Sequence, residues 1–156
     1  SKEYEEVEVK TEDYGAVLFK MDNGVRGVFY VSQVSAGRKC YLNFEINGTK
    51  SSIYWNQETP DYMWIGYRDR SNNIVMRNPN FMTPEAKQYT YLAAGHPEGW
   101  NDALKNSIYS FYKFIIDGKS LDKDEHDFAT FQEGHYLIKL TEAILKSNEI
   151  GQWVRV

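Results

Sequence analysis

The chain has 156 residues, a net charge of −4 and 42% apolar residues, values that are ordinary for one globular domain. This mildly acidic balance offers no basic surface for nucleic acid or for an anionic membrane. No apolar run approaches the ~20 residues of a membrane span. We therefore expect neither nucleic acid nor a membrane as a partner, and we expect no secretory signal.

The chain is rich in aromatic residues and poor in cysteine. Tyr, Phe and Trp make up 15% of it, and such rings fill cores but also line sugar sites and subunit interfaces. The single cysteine, Cys40, excludes an internal disulfide and favours a cytoplasmic protein. Because Cys40 is in phase with Leu42 and Phe44, we predict a small buried residue rather than a reactive thiol.

The first half of the chain predicts about six strands. The runs "YGAVLFKM" and "VRGVFYVSQV" flank the turn Asp22-Asn23-Gly24, which favours a hairpin because Asn and Gly tolerate positive φ. Two later runs, "YMWIGYRD" and "NIVMRN", add further strands. The turns are short, so the strands are mostly antiparallel.

Residues 40–47 alternate between apolar and polar side chains, the pattern of a strand with one buried face. Asn47-Gly48 marks a second hairpin, and its partner strand carries Ile53 and Trp55 on one side. The sheet therefore has one apolar face and one face rich in Tyr and Asn.

The second half predicts a long loop and two helices. The loop, "NPNFMTPEAKQYTYLAAGHPEG", contains three prolines, and loops of this length in compact domains are usually functional or disordered; its aromatic residues argue against disorder. Helices follow in "WNDALKNSIYSFYKFIIDG" and "FATFQEGHYLIKLTEAILKSNEIG", each ending at a glycine. Their predicted apolar stripes are Leu104, Ile108, Phe111, Tyr112 and Ile115, and Leu137, Leu140, Thr141, Ile144 and Leu145. The ending, "QWVRV", predicts a last short strand.

These elements predict an α+β fold: an open, mostly antiparallel sheet of about six strands with two main helices packed on one face. We treat residues 1–156 as a single domain. Two helices cannot cover both faces of so wide a sheet, so the face rich in Tyr and Asn needs a partner or remains in water.

The stretch "AAGHPEGW" is the first candidate for a functional site. His96 lies in the long loop beside a helix start, where its ring can exchange hydrogen bonds with a hydroxyl-rich ligand and Trp100 can offer a ring face. The alternative is that His96 caps the helix and Trp100 packs on the sheet. Arg38, just after Gly37, can bind hydroxyls or a carboxylate, or else form a surface ion pair.

Other chemistry finds little support. The three histidines, His96, His126 and His135, lack the spacing of a metal site, and the last two fit solvated surfaces. The glycines of "GVRGVFYVSQ" lie within a predicted strand and are not followed by a helix, as a dinucleotide loop requires. We therefore expect no metal and no bound cofactor in this chain.

The stretches "SQVSAGR", "IYWNQETPDYMWIG" and "GHPEGW" occur in an order that resembles the Gfo/Idh/MocA family of glucose-fructose oxidoreductases and inositol dehydrogenases. The resemblance runs from Glu12 to Val156. It implies a two-domain, NAD(P)-dependent oxidoreductase of sugars, cyclitols or related polyols, in which an N-terminal Rossmann domain binds the cofactor. This chain is similar to the C-terminal domain, which closes the substrate site and forms a homodimer or larger homo-oligomer through its sheet.

The resemblance also implies parts that this sequence lacks: the glycine-rich cofactor loop, the Lys-Pro motif whose lysine assists proton transfer, and a helix with an Asp and a His. We therefore assign no catalytic residue here, and expect NAD or NADP to be bound by the N-terminal domain. We expect the opening "SKEYEEVEVK" to start within a longer protein, and the isolated fragment to be inactive. His96, Trp100 and Arg38 are the residues expected near the polyol.

Two other functions would also explain why the cofactor loop and the catalytic motifs are missing from this sequence. One is a stand-alone, non-enzymatic module that binds carbohydrate or protein with its aromatic face. The other is a purely oligomerising domain without ligand contacts. A stand-alone module predicts that the native protein begins near Ser1, whereas a dehydrogenase domain predicts that its reading frame continues upstream.

Overall fold

The computed structural model describes residues 4–156, which group into two compact units. One unit comprises residues 4–39 and 134–156, and the other comprises residues 40–133. Across the described residues there are six strands, all antiparallel to their neighbours, and two main helices. The α+β class predicted from the sequence is therefore confirmed.

The first unit contains a hairpin of β1 (Tyr14–Lys20) and β2 (Arg26–Ser32). The predicted Asp-Asn-Gly turn connects them, and Gly24 adopts φ 88°, a left-handed conformation that glycine tolerates without steric cost. Phe19 lies opposite Gly27, and its ring comes within 2.1 Å of where a Cβ on that glycine would be. The ring thus covers the gap that a strand glycine leaves.

The second unit contains a meander of four strands in chain order: β3 (Asn43–Asn47), β4 (Ser51–Asn56), β5 (Tyr62–Tyr67) and β6 (Asn73–Met76). Its register places Phe44 opposite Trp55 and Ile46 opposite Ile53. These pairs confirm the predicted apolar face, because side chains opposite each other in a ladder share a face. The other face carries a polar and aromatic set: Asn43, Glu45, Asn47, Ser52, Tyr54, Asn56, Tyr62 and Trp64.

The six strands form two separate sheets, β1–β2 and β3–β6, rather than one. The segment between β2 and β3 is not a tight hairpin, and Gly37 turns the chain there with φ 82°. β2 belongs to the first unit and β3 to the second.

The two long helices begin and end close to the predicted residues, and a third, short helix lies in the segment predicted as a loop. They are α1 (Pro84–Lys87), α2 (Trp100–Ile116) and α3 (Phe131–Ile150), and left-handed glycines at 118 and 151 follow the two long ones. The segment predicted as a loop contains α1 and a 3₁₀ turn at Pro79–Phe81, since prolines favour the first turn of a helix. None of the helices in residues 4–156 is long and apolar enough to cross a membrane.

Burial on the helices differs from the prediction. On α2 the buried residue is Phe114, outside the predicted stripe, whereas Leu104 is 59% exposed and Ile108 is 51% exposed. The reason is Phe128, which packs edge-on against both Phe114 and Phe111 with ring centroids 5.2 and 5.3 Å away. On α3 the predicted stripe is only half-buried or exposed, at Leu137, Leu140, Thr141, Ile144 and Leu145.

Two local predictions are wrong. Cys40 is exposed, because β3 begins only at Asn43 and the residues before it are not part of the ladder. The ending, residues 152–156, forms no strand with any described neighbour. The carbonyl of Gln152 instead accepts a hydrogen bond from Ser147 Oγ at 2.6 Å, which turns the chain back toward α3.

Candidate functional site

The segment that carries His96 connects α1 to α2 and is fixed at both ends to the second unit. At its start, Tyr89 OH donates a hydrogen bond to Asp127, which raises the pKa of Tyr89; burial and the charge of Asp127 raise it further. Asn106 on α2 donates to the carbonyl of Tyr89 at 3.1 Å and accepts from Tyr91 OH at 2.6 Å. Lys105 Nζ lies 3.3 Å from the centroid of the Tyr91 ring.

A buried arginine connects this segment to the sheet. Asp61 immediately precedes β5 and Arg77 immediately follows β6, and the pairing of Tyr62 with Met76 brings them opposite each other. Arg77 Nε donates to Asp61 Oδ1 at 2.6 Å, and the backbone N–H of Arg77 donates to the Asp61 carbonyl, also at 2.6 Å. These two bonds to Asp61 fix the orientation of the Arg77 guanidinium at the end of β6.

The rest of the guanidinium binds the His96 segment. Nη1 donates to the Leu92 carbonyl at 3.0 Å and lies 2.6 Å from Glu98 Oε2. Nη2 donates to the carbonyl of His96 itself at 2.5 Å. The Arg77–Glu98 contact has the distance of an ion pair without the direction of a hydrogen bond, so its attraction is mainly coulombic.

The side chain of Glu98 also binds the backbone of this segment. Its Oε1 accepts hydrogen bonds from the backbone N–H groups of Tyr91, at 2.6 Å, and Leu92, at 3.1 Å. The residue is only 8% exposed. Arg77 and Glu98 together bind the backbone of Tyr91, Leu92 and His96, and so supply partners for backbone groups of a segment without regular secondary structure.

The start of α2 is formed without His96. The backbone N–H of Gly99 donates to Asp102 Oδ2 at 3.0 Å, so an acid of the first turn satisfies the residue before the helix. A Cβ at Gly99 would lie 3.3 Å from Pro60 Cγ, and the carbonyl of Pro60 accepts from Trp55 Nε1 at 3.0 Å. The helix start therefore lies close to Pro60, in the turn between β4 and β5.

The helix cap of α2 is Gly99 rather than His96. His96 is exposed, and its ring forms no hydrogen bond or ion pair with the residues in 4–156. Trp100, the first residue of α2, is 63% exposed. Both side chains are therefore presented to solvent from a segment whose backbone is held.

Arg38 lies in the other unit, on the segment after β2, and is exposed. Of the three predicted site residues, His96 and Trp100 belong to the second unit and Arg38 belongs to the first.

The sequence does not predict three of the residues at this site: Asp61, Arg77 and Glu98. The signal for the first two was available: an acid before one strand and an arginine after its hairpin partner face each other once the register is known. Glu98 lies close to a helix start, where acidic residues are common, and its contact with Arg77 depends on the path of the intervening segment.

The described residues contain no strand that leads through a glycine-rich turn into a helix, as a dinucleotide-binding loop does. Such a site needs a strand, a glycine-rich turn and a helix N-terminus in direct succession. Here β1, β3, β4 and β5 end in turns that lead to another strand, and β6 leads to a 3₁₀ turn with proline. No chemical step through a cofactor follows from this chain alone. What the exposed pair offers is a donor or acceptor nitrogen and an indole face, the groups that bind hydroxyl-rich ligands.

Comparison with known proteins identifies the family. The sequence profile of the oxidoreductase family C-terminal alpha/beta domain, of the Gfo/Idh/MocA type, matches residues 1–156. The chain therefore belongs to the Gfo/Idh/MocA oxidoreductase family and represents its C-terminal domain.

Two curated relatives are also oxidoreductases. An uncharacterised oxidoreductase of Bacillus subtilis is 27% identical over 73% of this chain, and levoglucosan dehydrogenase of Pseudarthrobacter phenanthrenivorans is 23% identical over 95%. The chain spans only 29% and 37% of the length of these two proteins.

Solved structures show the same fold. An inositol dehydrogenase homologue from Azotobacter vinelandii, complexed with NADH and myo-inositol, matches 93% of this chain and 39% of its own with a TM-score of 0.81 and 24% identity. A levoglucosan dehydrogenase with NADH and levoglucosan matches 95% of this chain and 39% of its own with a TM-score of 0.80 and 24% identity.

Proposed function

We propose that this chain is the substrate-side and oligomerisation domain of an NAD(P)-dependent oxidoreductase that acts on a sugar, a cyclitol or a related polyol. The family match over residues 1–156 supports the oxidoreductase. Relatives solved with myo-inositol and with levoglucosan support the polyol class. NAD or NADP would be bound by a separate N-terminal domain of the whole protein, and the isolated chain would not catalyse the reaction. The single cysteine fits a cytoplasmic enzyme.

The observation that carries this proposal is the exposed His96 ring on a segment whose backbone is bound at Leu92 and at His96 itself. A ring nitrogen of His96 would donate or accept a hydrogen bond with a polyol hydroxyl, and the Trp100 indole would contact the C–H face of the polyol ring. Hydroxyl or carboxylate binding by Arg38, in the first unit, stays a separate prediction. These contacts bind and orient a substrate, whereas hydride and proton transfer require groups outside this chain.

The test is His96→Ala in the intact enzyme, assayed with a panel of sugars and cyclitols. Loss of one hydrogen bond to substrate would lower kcat/KM about 10-fold. His126→Ala is the matched control, because His126 is also an exposed histidine of the second unit. Unchanged kinetic constants in His96→Ala would refute the role of His96.

The native size tests whether the chain is part of a larger enzyme. An antibody to this chain should detect a protein of at least twice its mass in the source cells. A band of the chain's own mass would instead favour the stand-alone, non-enzymatic binding module.

The oligomer is proposed to form through the polar and aromatic face of the β3–β6 sheet. Polar side chains with aromatic rings among them are typical of interfaces between subunits. Light scattering of the purified protein should give a dimer or a larger assembly, and Asn43→Arg, in the β3 strand on this face, should weaken it. A monomer at high concentration would refute this part of the proposal.

A further inference from the structure

Three charged side chains of the second unit are buried together beneath the His96 segment. The side chains of Glu98, Arg77 and Asp61 are 6%, 10% and 17% exposed, respectively. Two carboxylates and one guanidinium leave the cluster with one excess negative charge if all are ionised. Removing charges from water costs several kcal/mol each, and a well-packed apolar cluster is often as stable as a buried ion pair. The cluster is therefore not explained by stability alone.

Most contacts of this cluster outside itself are with the backbone that flanks His96. Arg77 binds the carbonyls of Leu92 and His96, and Glu98 binds the N–H groups of Tyr91 and Leu92. The backbone N–H of Glu98 also points toward Asp61 Oδ1, at 3.5 Å. His96 thus has its own carbonyl bound, while its ring remains exposed.

Holding a backbone in this way has a physical benefit for binding. A free segment loses conformational entropy when it closes on a ligand. A segment that is already fixed does not lose it again, so a contact made from it is stronger. Arginine suits this role because its planar guanidinium binds several acceptors in a fixed geometry, which lysine does not.

We propose that Arg77 and Glu98 are positioning residues for His96: they hold the backbone of residues 91–98 so that the His96 ring meets the polyol in one orientation. This inference rests on the proposed function of His96 as a substrate contact. Asp61 fixes the guanidinium and supports the arrangement from the sheet. None of the three residues touches substrate.

The test is a double-mutant cycle in the full-length enzyme with Glu98→Gln and His96→Ala. Alone, Glu98→Gln should raise the KM for the polyol about 10-fold with a smaller change in kcat, and should leave the KM for the nicotinamide cofactor unchanged. In the His96→Ala background it should change the polyol KM less than about 2-fold, because a residue that acts only through His96 has no further effect once His96 is removed. Glu125→Gln, an exposed glutamate of the same unit, is the matched control and should change nothing.

The outcomes separate the two proposals. If His96→Ala alters the polyol kinetics and Glu98→Gln multiplies that effect independently, the positioning role is overturned while the proposed function stands. If His96→Ala has no effect, both fail.

A second readout does not depend on catalysis. Amide hydrogen exchange in the wild-type protein should show the Tyr91 and Leu92 N–H groups protected, and Glu98→Gln should speed their exchange at least 10-fold. Arg77→Lys, which retains the charge but loses the fork of donors, replaces Glu98→Gln if the latter does not fold. Exchange of these two amides at the unprotected rate in the wild type would overturn the proposal.

Discussion

Arg77 and Glu98 form a buried ion pair, with Nη1 and Oε2 2.6 Å apart and both side chains at most 10% exposed. They belong to segments separated by the 3₁₀ turn and α1, and their pairing fixes the path of the chain between them. Asp61 is the second acid on the same guanidinium. Removing each of the three residues therefore leaves a different set of buried charges without a partner.

Arg77→Ala should be more destabilising than Glu98→Ala. Removing the arginine leaves two buried carboxylates without a cation, which costs about 3–5 kcal/mol. Removing Glu98 leaves Arg77 paired with Asp61 and should cost about 2 kcal/mol less than that. Urea denaturation followed by circular dichroism measures both. Asp117→Ala, which breaks the exposed Lys113–Asp117 pair on α2, is the control and should not shift the midpoint. Equal midpoints for the two buried variants would show that the pair is not coupled as described.

Thr130→Ala should destabilise α3 at its first turn. Thr130 Oγ1 accepts from the N–H of Glu133 at 3.3 Å, and Glu133 Oε2 accepts from the Thr130 N–H at 2.7 Å, which is a capping box. Loss of such a cap costs about 1 kcal/mol, measurable by thermal unfolding. Thr130→Ser, which keeps the hydroxyl, is the control and should unfold close to the wild type.

The same cap predicts an acid sensitivity of the first turn of α3. The N–H of Thr130, and then its hydroxyl, lower the pKa of Glu133 below its ordinary value of 4.5. Because the pKa is lower in the folded state, the contribution of Glu133 is complete above 4.5 and is lost as the pH falls through the folded value. Amide exchange of residues 131–134 should therefore rise below pH 4.5, and Glu133→Gln should remove this pH dependence. Exchange that is independent of pH after correction for the intrinsic rate would contradict it.

The strand pattern was predictable from the sequence because it depends on geometry that each residue carries with it. Successive side chains on a strand point to opposite faces, so the alternation through Phe44 and Ile46 fixes a face before any partner is known. The pairing with Trp55 and Ile53 then follows from the turn at Asn47-Gly48. The ends of the two long helices were predictable for a similar reason. Gly118 and Gly151 follow these helices with positive φ, a conformation that glycine adopts more easily than other residues.

The candidate site was predictable only in part, because its supporting contacts join distant segments. "GHPEGW" drew attention to His96 and Trp100 by its composition alone. That Glu98 meets Arg77 depends on a proline-rich path of the chain with no periodicity to read. The burial of Phe114 depends in the same way on Phe128, which returns from the segment after α2. Cys40 alternates in phase with Leu42 and Phe44, which predicts a buried face, but it is exposed because β3 begins only at Asn43.

Tyr89 should titrate at a higher pH than its ordinary value. Its hydroxyl donates to Asp127, and loss of the proton would place two negative charges together, so the neutral form is favoured and the pKa is raised. A raised pKa in the folded state means that this bond contributes stability at neutral pH and loses it as the pH rises through the folded value. NMR titration of the tyrosine ring carbons, assigned with Tyr89→Phe, measures the pKa. In Asp127→Asn the pKa of Tyr89 should fall, and an unchanged value would contradict the role of Asp127.

Two glycines at opposite ends of α3 should respond oppositely to alanine. Gly134 lies in the helix interior, and a Cβ added there would have no heavy atom within 4 Å, so alanine fits and lowers the entropy of the unfolded chain. Gly134→Ala should therefore stabilise the protein by about 0.5–1 kcal/mol. Gly151 also has open space, but its φ is 64°, where a Cβ costs about 1 kcal/mol or more. Gly151→Ala should lower the stability by that amount in urea denaturation. Because neither side chain would meet a neighbour, the difference between the two variants isolates the backbone conformation. If Gly134→Ala were the more destabilising of the two, α3 would have to be packed against another surface at Gly134.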